Sequence, residues 1–355
     1  MEFGFTAEQV ELRDTVQGFL RRHATSERVR AAEGFDAGAW RRLTDELGVT
    51  GLAVAPEHGG YGTSWVEVAV VLVETGAALL PTPYLSTVTT AAALDPDLAG
   101  DLLTGIAERG TSATLALAEP GRAGWAPENW SCRADHQGGD RYLLDGVKEH
   151  VLDGAVAETV VVAATCAGEP GLYAVRADDV RRTGHDTLDL TRPQARLEFS
   201  ATPARLVGRD GGRHALELMW LALAVDSIGV ARASLERTVE HLRTRRQFGV
   251  PLAHFQALRH RIADLAVALE AATSSTWYAV RSHGTAEFAT AAPLAKLVAA
   301  DAAYAVTAES VQLHGGIGFT WEHDAHLYLR RATANRLLLG DAPALRSRLA
   351  PPPGH

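Results

Sequence analysis

The chain opens with apolar residues at helical spacing. Thr6-Ala-Glu-Gln9 has the form of a capping box, and Val10, Leu12, Val16, Phe19 and Leu20 supply the apolar stripe behind it. The glycines of PEHGGYG, Pro56 to Gly62, predict a loop; TSWVEVAVVLVETGAALL returns to helix, and PTPY ends it. From about residue 111 the texture changes. ATLALAE, RYLLDG, TVVVAAT, GLYAV and ARLEFS are short β-branched or alternating runs separated by Gly, Pro and Asp, which predicts a small β-domain with mainly local connections. From about 206 the pattern is helical again: Leu218, Leu221, Ala222, Val225, Ile228 and Gly229 keep the i, i+3, i+4, i+7 spacing of one buried face. The tail, APPPGH, reads as a frayed end. The expectation is an α+β, mainly α protein of three parts: a helical domain over 1–110, a β-domain over 111–205 and a helical bundle over 206–355.

A length of 355 residues exceeds one ordinary core and agrees with that division. Hydrophobic content of 46% with 22% charged residues excludes a disordered chain. A net charge of -9 excludes a general nucleic-acid binder, so any positive patch is local and suited to a small anion. The run VEVAVVLVETG is too short to span a bilayer and carries Glu67 and Glu74, so no membrane association is expected. The opening MEFGFTAEQVELRD lacks the basic and apolar regions of a signal peptide, which predicts a cytoplasmic protein. Cys132 and Cys166 lack metal-type spacing and read as free thiols in a reducing compartment.

Two glycine motifs mislead. Gly60-Tyr-Gly62 and Gly316-Ile-Gly318 begin like dinucleotide fingerprints, but Trp65 and Trp321 hold the third glycine position and no strand precedes either. HGGIG at His314 is similar to a hydrolase oxyanion loop, yet the chain has no Gly-x-Ser-x-Gly. Glu322, His323 and His326 read as a solvated helix end, and no metal site is expected.

RTRRQFGVPLAHFQALRHRIADL, Arg243 to Leu265, is different: it concentrates five arginines, interrupted by Phe248-Gly249 and Phe255-Gln256. A solvated helix face explains the arginines but neither the aromatic pair nor the Gly-Val-Pro break. Arg245-Arg-Gln-Phe248-Gly249, Gln256 and Gln312-Leu-His-Gly315-Gly316 together resemble the acyl-CoA dehydrogenase family, whose members carry Arg-x-x-Phe-Gly, a following Gln, and Gln-x-x-Gly-Gly. PEHGGYG, LAEP (Leu117 to Pro120) and YLLDGVKEHVLDGAVAE are similar to further segments of that family and keep its order, so the likeness covers nearly the whole chain. The resemblance implies an N-terminal helical domain, a middle β-domain and a C-terminal four-helix bundle, with FAD as cofactor and an acyl-CoA as substrate. It also implies that Arg245, Gln247, Phe248, Gln256, Gln312, Gly315 and Gly316 contact the FAD of a neighbouring subunit. The residue types suit that task. Arginine pairs with a diphosphate, the amides donate and accept, and glycines let backbone N–H groups approach closely.

The departures from the family are equally specific. Its members remove the substrate α-proton with a Glu at one of two places. In this chain the place within the family's Tyr-Glu-Gly-Thr segment is Leu339, in RLLLGDA, and the other is Met219, with Trp220 at the adjacent Arg position. Neither side chain accepts a proton, so no catalytic residue is expected here; Asp341 is the fallback, with Glu217 and His150 behind it. Glu217 lies two residues from Met219, about 200° around a helix, and Asp341 reads as a loop or cap residue.

The family's Lys-x-Trp-Ile-Thr becomes Lys148-Glu-His150-Val-Leu152, and its Thr-Glu-Pro-x-x-Gly-Ser-Asp becomes Ala118-Glu-Pro-Gly-Arg-Ala123-Gly124-Trp125. The half-site for a neighbour's FAD is kept while the chain's own flavin and substrate side is eroded. That pattern resembles the base-lacking subunit of actinobacterial-type heterotetrameric acyl-CoA dehydrogenases. The expected role is the non-catalytic partner of a base-carrying subunit, in an enzyme oxidising an acyl-CoA to the 2,3-enoyl-CoA. An active homo-dimer or homo-tetramer with a relocated base, and a flavin-free scaffold on the same fold, are the alternatives.

Overall fold

The computed structural model describes residues 4–121, 130–209 and 211–350. Helix α1, Ala7–His23, begins at the predicted capping box: Gln9 N–H donates to Thr6 Oγ1 at 3.3 Å, and Thr6 N–H to Gln9 Oε1 at 3.0 Å. Its Val16, Phe19 and Leu20 are buried. Helices α2 (Ser26–Ala31), α3 (Ala37–Leu47), α4 (Trp65–Ala77), α5 (Tyr84–Ala93) and α6 (Pro96–Arg109) complete the N-terminal part. The sequence of α5, YLSTVTTAAA, is rich in residues that lose rotamer freedom in a helix. Burial holds it nonetheless, with the Thr89 and Thr90 hydroxyls donating back to the Leu85 and Ser86 carbonyls, each at 2.6 Å.

The middle part contains β1 (Ala113–Ala116), β2 (Arg133–His136), β3 (Arg141–Leu152), β4 (Thr159–Cys166), β5 (Glu169–Arg176), β6 (Arg181–Gly184) and β7 (Gln194–Gly208). Among the described residues they form one sheet in the order β1-β4-β2-β3-β7-β5, with β6 beside β7. The expectation of mainly local connections is corrected here. Both β1 and β2 pair parallel with β4, and parallel neighbours need a crossover rather than a hairpin. The last strand also runs to Gly208, past the expected end at 205, so helix starts only at Arg213. Cys132 and Cys166 are free, as expected.

Helices α7 (Arg213–Thr244), α8 (Gln256–Arg281), α9 (Phe288–His314), α10 (Ala325–Leu337) and α11 (Ala342–Leu349) form the C-terminal part, with α7 against α4, α8 and α9. A single buried face was expected for α7, yet Ala215 to Ala231 is buried all round. By length and composition α7 could cross a membrane, but it is the core helix of this fold. Gly229 permits its crossing with α4, since a Cβ there would lie 2.1 Å from the Val73 carbonyl oxygen.

A buried polar cluster joins the three parts. Arg331 on α10 sits 2.7 Å from Asp189 Oδ2 in the β6–β7 loop and 3.1 Å from Asp226 Oδ1 on α7. Asn335 donates to Asp226 Oδ2 at 2.7 Å and to Ser227 Oγ at 3.0 Å, and accepts from the Arg192 guanidinium. Burial alone would raise the Asp189 pKa, but Arg331 and Arg192 outweigh it and hold the carboxylate below its ordinary value. Beside them Asp153 accepts a 2.5 Å hydrogen bond from Ser86 on α5, and burial pushes its carboxyl up to about 6.

Candidate functional site

The arginine segment folds as a hairpin at the end of α7. Arg245 N–H donates to His241 O at 2.8 Å, which closes the helix. Strands β8 (Arg246–Gln247) and β9 (Val250–Pro251) then pair around Phe248 and Gly249, at φ +52 and +81. A two-residue hairpin turn with positive φ at both positions normally takes Asn-Gly. A bulky Phe at the first position is strained, and such outliers gather at functional sites. The Phe248 ring is also 92% exposed, its only ring neighbour among the described residues being Phe255, edge-on at 6.2 Å. Gln256 opens α8 and is exposed, as are Arg245 and Gln247.

The glycine loop lies at the end of α9. Gln312 is exposed in the last turn, and Gly315 to Phe319 form a tight 3-10 turn. Gly315 has φ +64, and a Cβ on either Gly315 or Gly316 would meet nothing within 4 Å, so the backbone there forms an open cradle. The fold brings the two segments together. His241, four residues before Arg245, stacks on His314 at 4.4 Å, and His314 stacks on His323 at 4.4 Å. Burial lowers the His241 and His323 pKa values, with the neighbouring imidazoles adding to the effect, so these two rings are neutral near pH 7. An ion pair of 2.7 Å between Arg261 and Glu309 ties α8 to α9. All seven predicted contact residues are exposed, on two segments linked by the His241–His314 contact, and they bring a guanidinium, amides, open glycines and an aromatic ring. Their donor set fits a diphosphate-bearing cofactor.

The imidazole stack was missed by sequence reasoning, and the reading of His323 and His326 as solvated is corrected. Both are half-buried, His323 against His314 and His326 4.7 Å from the Trp321 ring. No metal-type cluster occurs among the described residues.

The two base positions are apolar and buried. Met219 and Trp220 are buried on α7, and Leu339 is buried with φ +59. The Trp220 indole N–H donates to Leu339 O at 2.7 Å, and the wholly buried Lys296 amine donates to Gly340 O. Asp341, the fallback base, is exposed and N-caps α11 by accepting from Ala344 N–H at 3.1 Å. Glu217 is buried on α7. His150 is exposed at a β-bulge in β3, with Nδ1 3.2 Å from Gln194 Oε1 and its ring 4.9 Å from His185.

A cavity of about 420 Å³ runs from His150, His185 and Gln194 to Leu337, Leu338 and Leu339. Ala118 and Leu152, at the positions where the family's motifs carry a Thr, are buried and bring no hydroxyl. Glu119 and Lys148 form a buried 2.9 Å ion pair, with the Glu119 carboxylate also accepting from Ser131 and Cys132 N–H, so their work is structural. Ala123, Gly124 and Trp125 lie outside the described residues.

The family model described as "Acyl-CoA dehydrogenase, N-terminal domain" matches residues 6–98, and "Acyl-CoA dehydrogenase, C-terminal domain" matches 212–350. Acyl-CoA dehydrogenase IpdE2 of Mycolicibacterium smegmatis is 34% identical over 93% of this chain and 93% of its own length. A solved structure described as the Tcur3481-Tcur3483 steroid ACAD G363A variant is 31% identical, with a TM-score of 0.88 over 96% of each chain. The ChsE4-ChsE5 complex from Mycobacterium tuberculosis gives 27% identity and a TM-score of 0.90 over 98% of each chain. With this fold and these relatives, the chain belongs to the acyl-CoA dehydrogenase family, FAD flavoproteins that act as oxidoreductases on CH–CH bonds.

Proposed function

We propose that this chain is the base-lacking subunit of a heteromeric acyl-CoA dehydrogenase that performs 2,3-dehydrogenation of an acyl-CoA thioester. The observation that carries the reading is the asymmetry between two half-sites. On the exposed surface, Arg245 neutralises the FAD diphosphate, Gly315 and Gly316 admit it to backbone N–H groups, and Gln247, Gln256 and Gln312 bond its polar edges, while Phe248 covers it. At the positions where the family's motifs carry a Thr, buried Ala118 and Leu152 do not fit the polar edge of a flavin ring. Each flavin group left without a partner there costs about 1–3 kcal/mol. Leu339 and Met219 leave this chain without a proton acceptor, so a base-carrying partner subunit takes the α-proton. Bound FAD supplies the hydride acceptor for the reaction.

The two-protein ChsE4-ChsE5 complex supports a two-subunit assembly, and the steroid named for the Tcur3481-Tcur3483 structure supports a ring-bearing acyl group. The test is co-expression with a base-carrying relative, followed by acyl-CoA-dependent reduction of an electron acceptor. Activity is expected from the complex only, and a Glu→Gln change at the partner's base abolishes it. Bleaching of flavin by acyl-CoA in this chain alone overturns the reading.

A further inference from the structure

Three imidazoles meet where three helix ends converge. His241 lies in the last turn of α7, His314 is the last residue of α9, and His323 stands two residues before α10. His314 is the middle ring, 4.4 Å from each of the other two, and is buried. It directly precedes Gly315, as His241 precedes Arg245 by four residues. Beyond this contact both segments run out into solvent: Arg243 to Gly249 are exposed, and so are Gly315 to Ile317.

Hydrogen bonds assign the protons of two of the rings. His314 Nδ1 lies 2.7 Å from the Ser310 carbonyl oxygen, so that nitrogen carries the hydrogen and donates it. His323 Nδ1 accepts from Ala325 N–H, the first residue of α10, at 3.1 Å. Its own hydrogen is therefore on Nε2, and charging the ring puts a second one on Nδ1 and breaks that bond. The charges around the stack also disfavour a cation there. Arg245 acts on His241, and Arg237, Arg30 and Asp324 act on His323. Asp324 is already engaged by Arg30 at 2.6 Å, Ser26 at 2.6 Å and Arg237 at 3.5 Å. Burial, the largest influence, and these cations hold His241 and His323 below the ordinary 6.5.

We propose that His241, His314 and His323 are positioning residues for the half-site: while neutral, the stack fixes the Arg245 hairpin beside the Gly315–Gly316 cradle, and acid opens it and loosens the partner's FAD. This rests on the assignment of FAD to that half-site. A group whose folded pKa is lowered contributes stability above its ordinary value and loses it as pH falls, so the grip weakens below 6.5. Opening relieves the charge by letting water reach the rings.

The test compares the complex with its base-carrying subunit at about pH 7.5 and about pH 5.5. One readout is the rate of FAD release on dilution. The other is amide hydrogen exchange of the hairpin and the glycine loop, corrected for the intrinsic effect of pH on exchange. Uptake of one proton on opening shifts that equilibrium up to tenfold per pH unit, so the native complex should release FAD about tenfold faster in acid. His241→Phe keeps a ring against His314 and cannot be charged. His323→Asn keeps an acceptor for Ala325 N–H and cannot be charged either, which guards against a local misfold at His241. Each should cut the acid effect on release to about twofold or less, and flatten hairpin exchange with it. Native-like acid release in both variants, with Arg245→Ala still stripping FAD, overturns the proposal and spares the half-site assignment. If the variants flatten hairpin exchange but not FAD release, and Arg245→Ala leaves FAD bound, the cofactor lies elsewhere and both fall.

Discussion

The indole N–H of Trp220 donates to the carbonyl oxygen of Leu339 at 2.7 Å, joining the two positions where the family's motifs carry an arginine and a catalytic glutamate. Both residues are buried, and the Arg348 guanidinium lies 5.0 Å from the Trp220 ring. A neutral hydrogen bond and packing thus join these two positions in this chain. The bond also holds Leu339 in its left-handed conformation, which a branched side chain adopts only under constraint. Trp220→Phe keeps most of the packing and leaves the Leu339 carbonyl unpaired, so unfolding free energy should fall by about 1–3 kcal/mol. Urea denaturation measures it; an unchanged midpoint would show that the bond does not hold the loop.

Arg331 ties the C-terminal part to the β6–β7 loop of the middle part through Asp189 and is anchored to α7 through Asp226. Replacing it with Met keeps volume but strands two buried carboxylates. The expected loss is about 3–5 kcal/mol, well above that of an exposed ion pair. Urea unfolding checks this, and a loss comparable to that of the surface pair Arg42–Glu46 would mean the cluster is already neutralised by other means.

Lys296 gives a pH signature. Burial lowers its pKa from the ordinary 10.5 to about 7, against the opposing pull of Asp341 and Asp301. Between these two values the unfolded chain binds more protons than the folded one, so this group's contribution to stability rises with pH across the window and is lost as pH falls through about 7. Urea midpoints taken at steps from neutral to mildly alkaline pH should climb in the native chain and climb less in Lys296→Met. Parallel slopes in the two proteins would place the titration elsewhere.

How much of this could be read from the sequence depends on how far apart the interacting residues are. The β-branched runs of β4 and β5 announce themselves, whereas β2 (RADH) and β6 (RRTG) are short and polar and become strands only because longer neighbours offer them a ladder. The residues proposed to face the cofactor stand out because they fall in short motifs that resemble the family's, and such a likeness is local in the sequence. Asp226 interrupts the apolar run LALAVDSIGV, which signals a buried charge, but nothing local names Asp189, Arg331 or Asn335 as its company. The parallel pairing of β1 with β4 has the same cause: its register is set by residues beyond any local window.

Asp341 offers a test that separates a cap from a base. Its carboxylate accepts from Ala344 N–H at the start of α11, with Pro343 in the first turn. Asp341→Asn retains a capping oxygen and should leave both stability and turnover of the complex unaltered, while Asp341→Ala should cost about 0.5–2 kcal/mol with turnover still intact. If Asp341→Asn abolishes turnover at unchanged stability, Asp341 is the relocated base after all.

The sharpest test of the half-site assignment compares Arg245 with His150. Arg245 lies on the exposed surface proposed to hold the partner's FAD, whereas His150 lies on the cavity side, bonded to Gln194. Arg245→Ala removes a charge-assisted contact of about 1.5–3 kcal/mol. That corresponds to roughly a ten- to hundredfold weaker hold on FAD, measured as cofactor loss on dilution of the complex. The partner's base is untouched, so added FAD should restore much of the rate. Electrostatics gives a second readout: raising salt should narrow the gap between native and Arg245→Ala complexes, because the lost contact is between exposed charges. His150→Ala should alter neither FAD retention nor turnover. If His150→Ala strips the flavin and Arg245→Ala leaves it bound, the chain holds its own cofactor, and an active homo-oligomer becomes the better account of its chemistry.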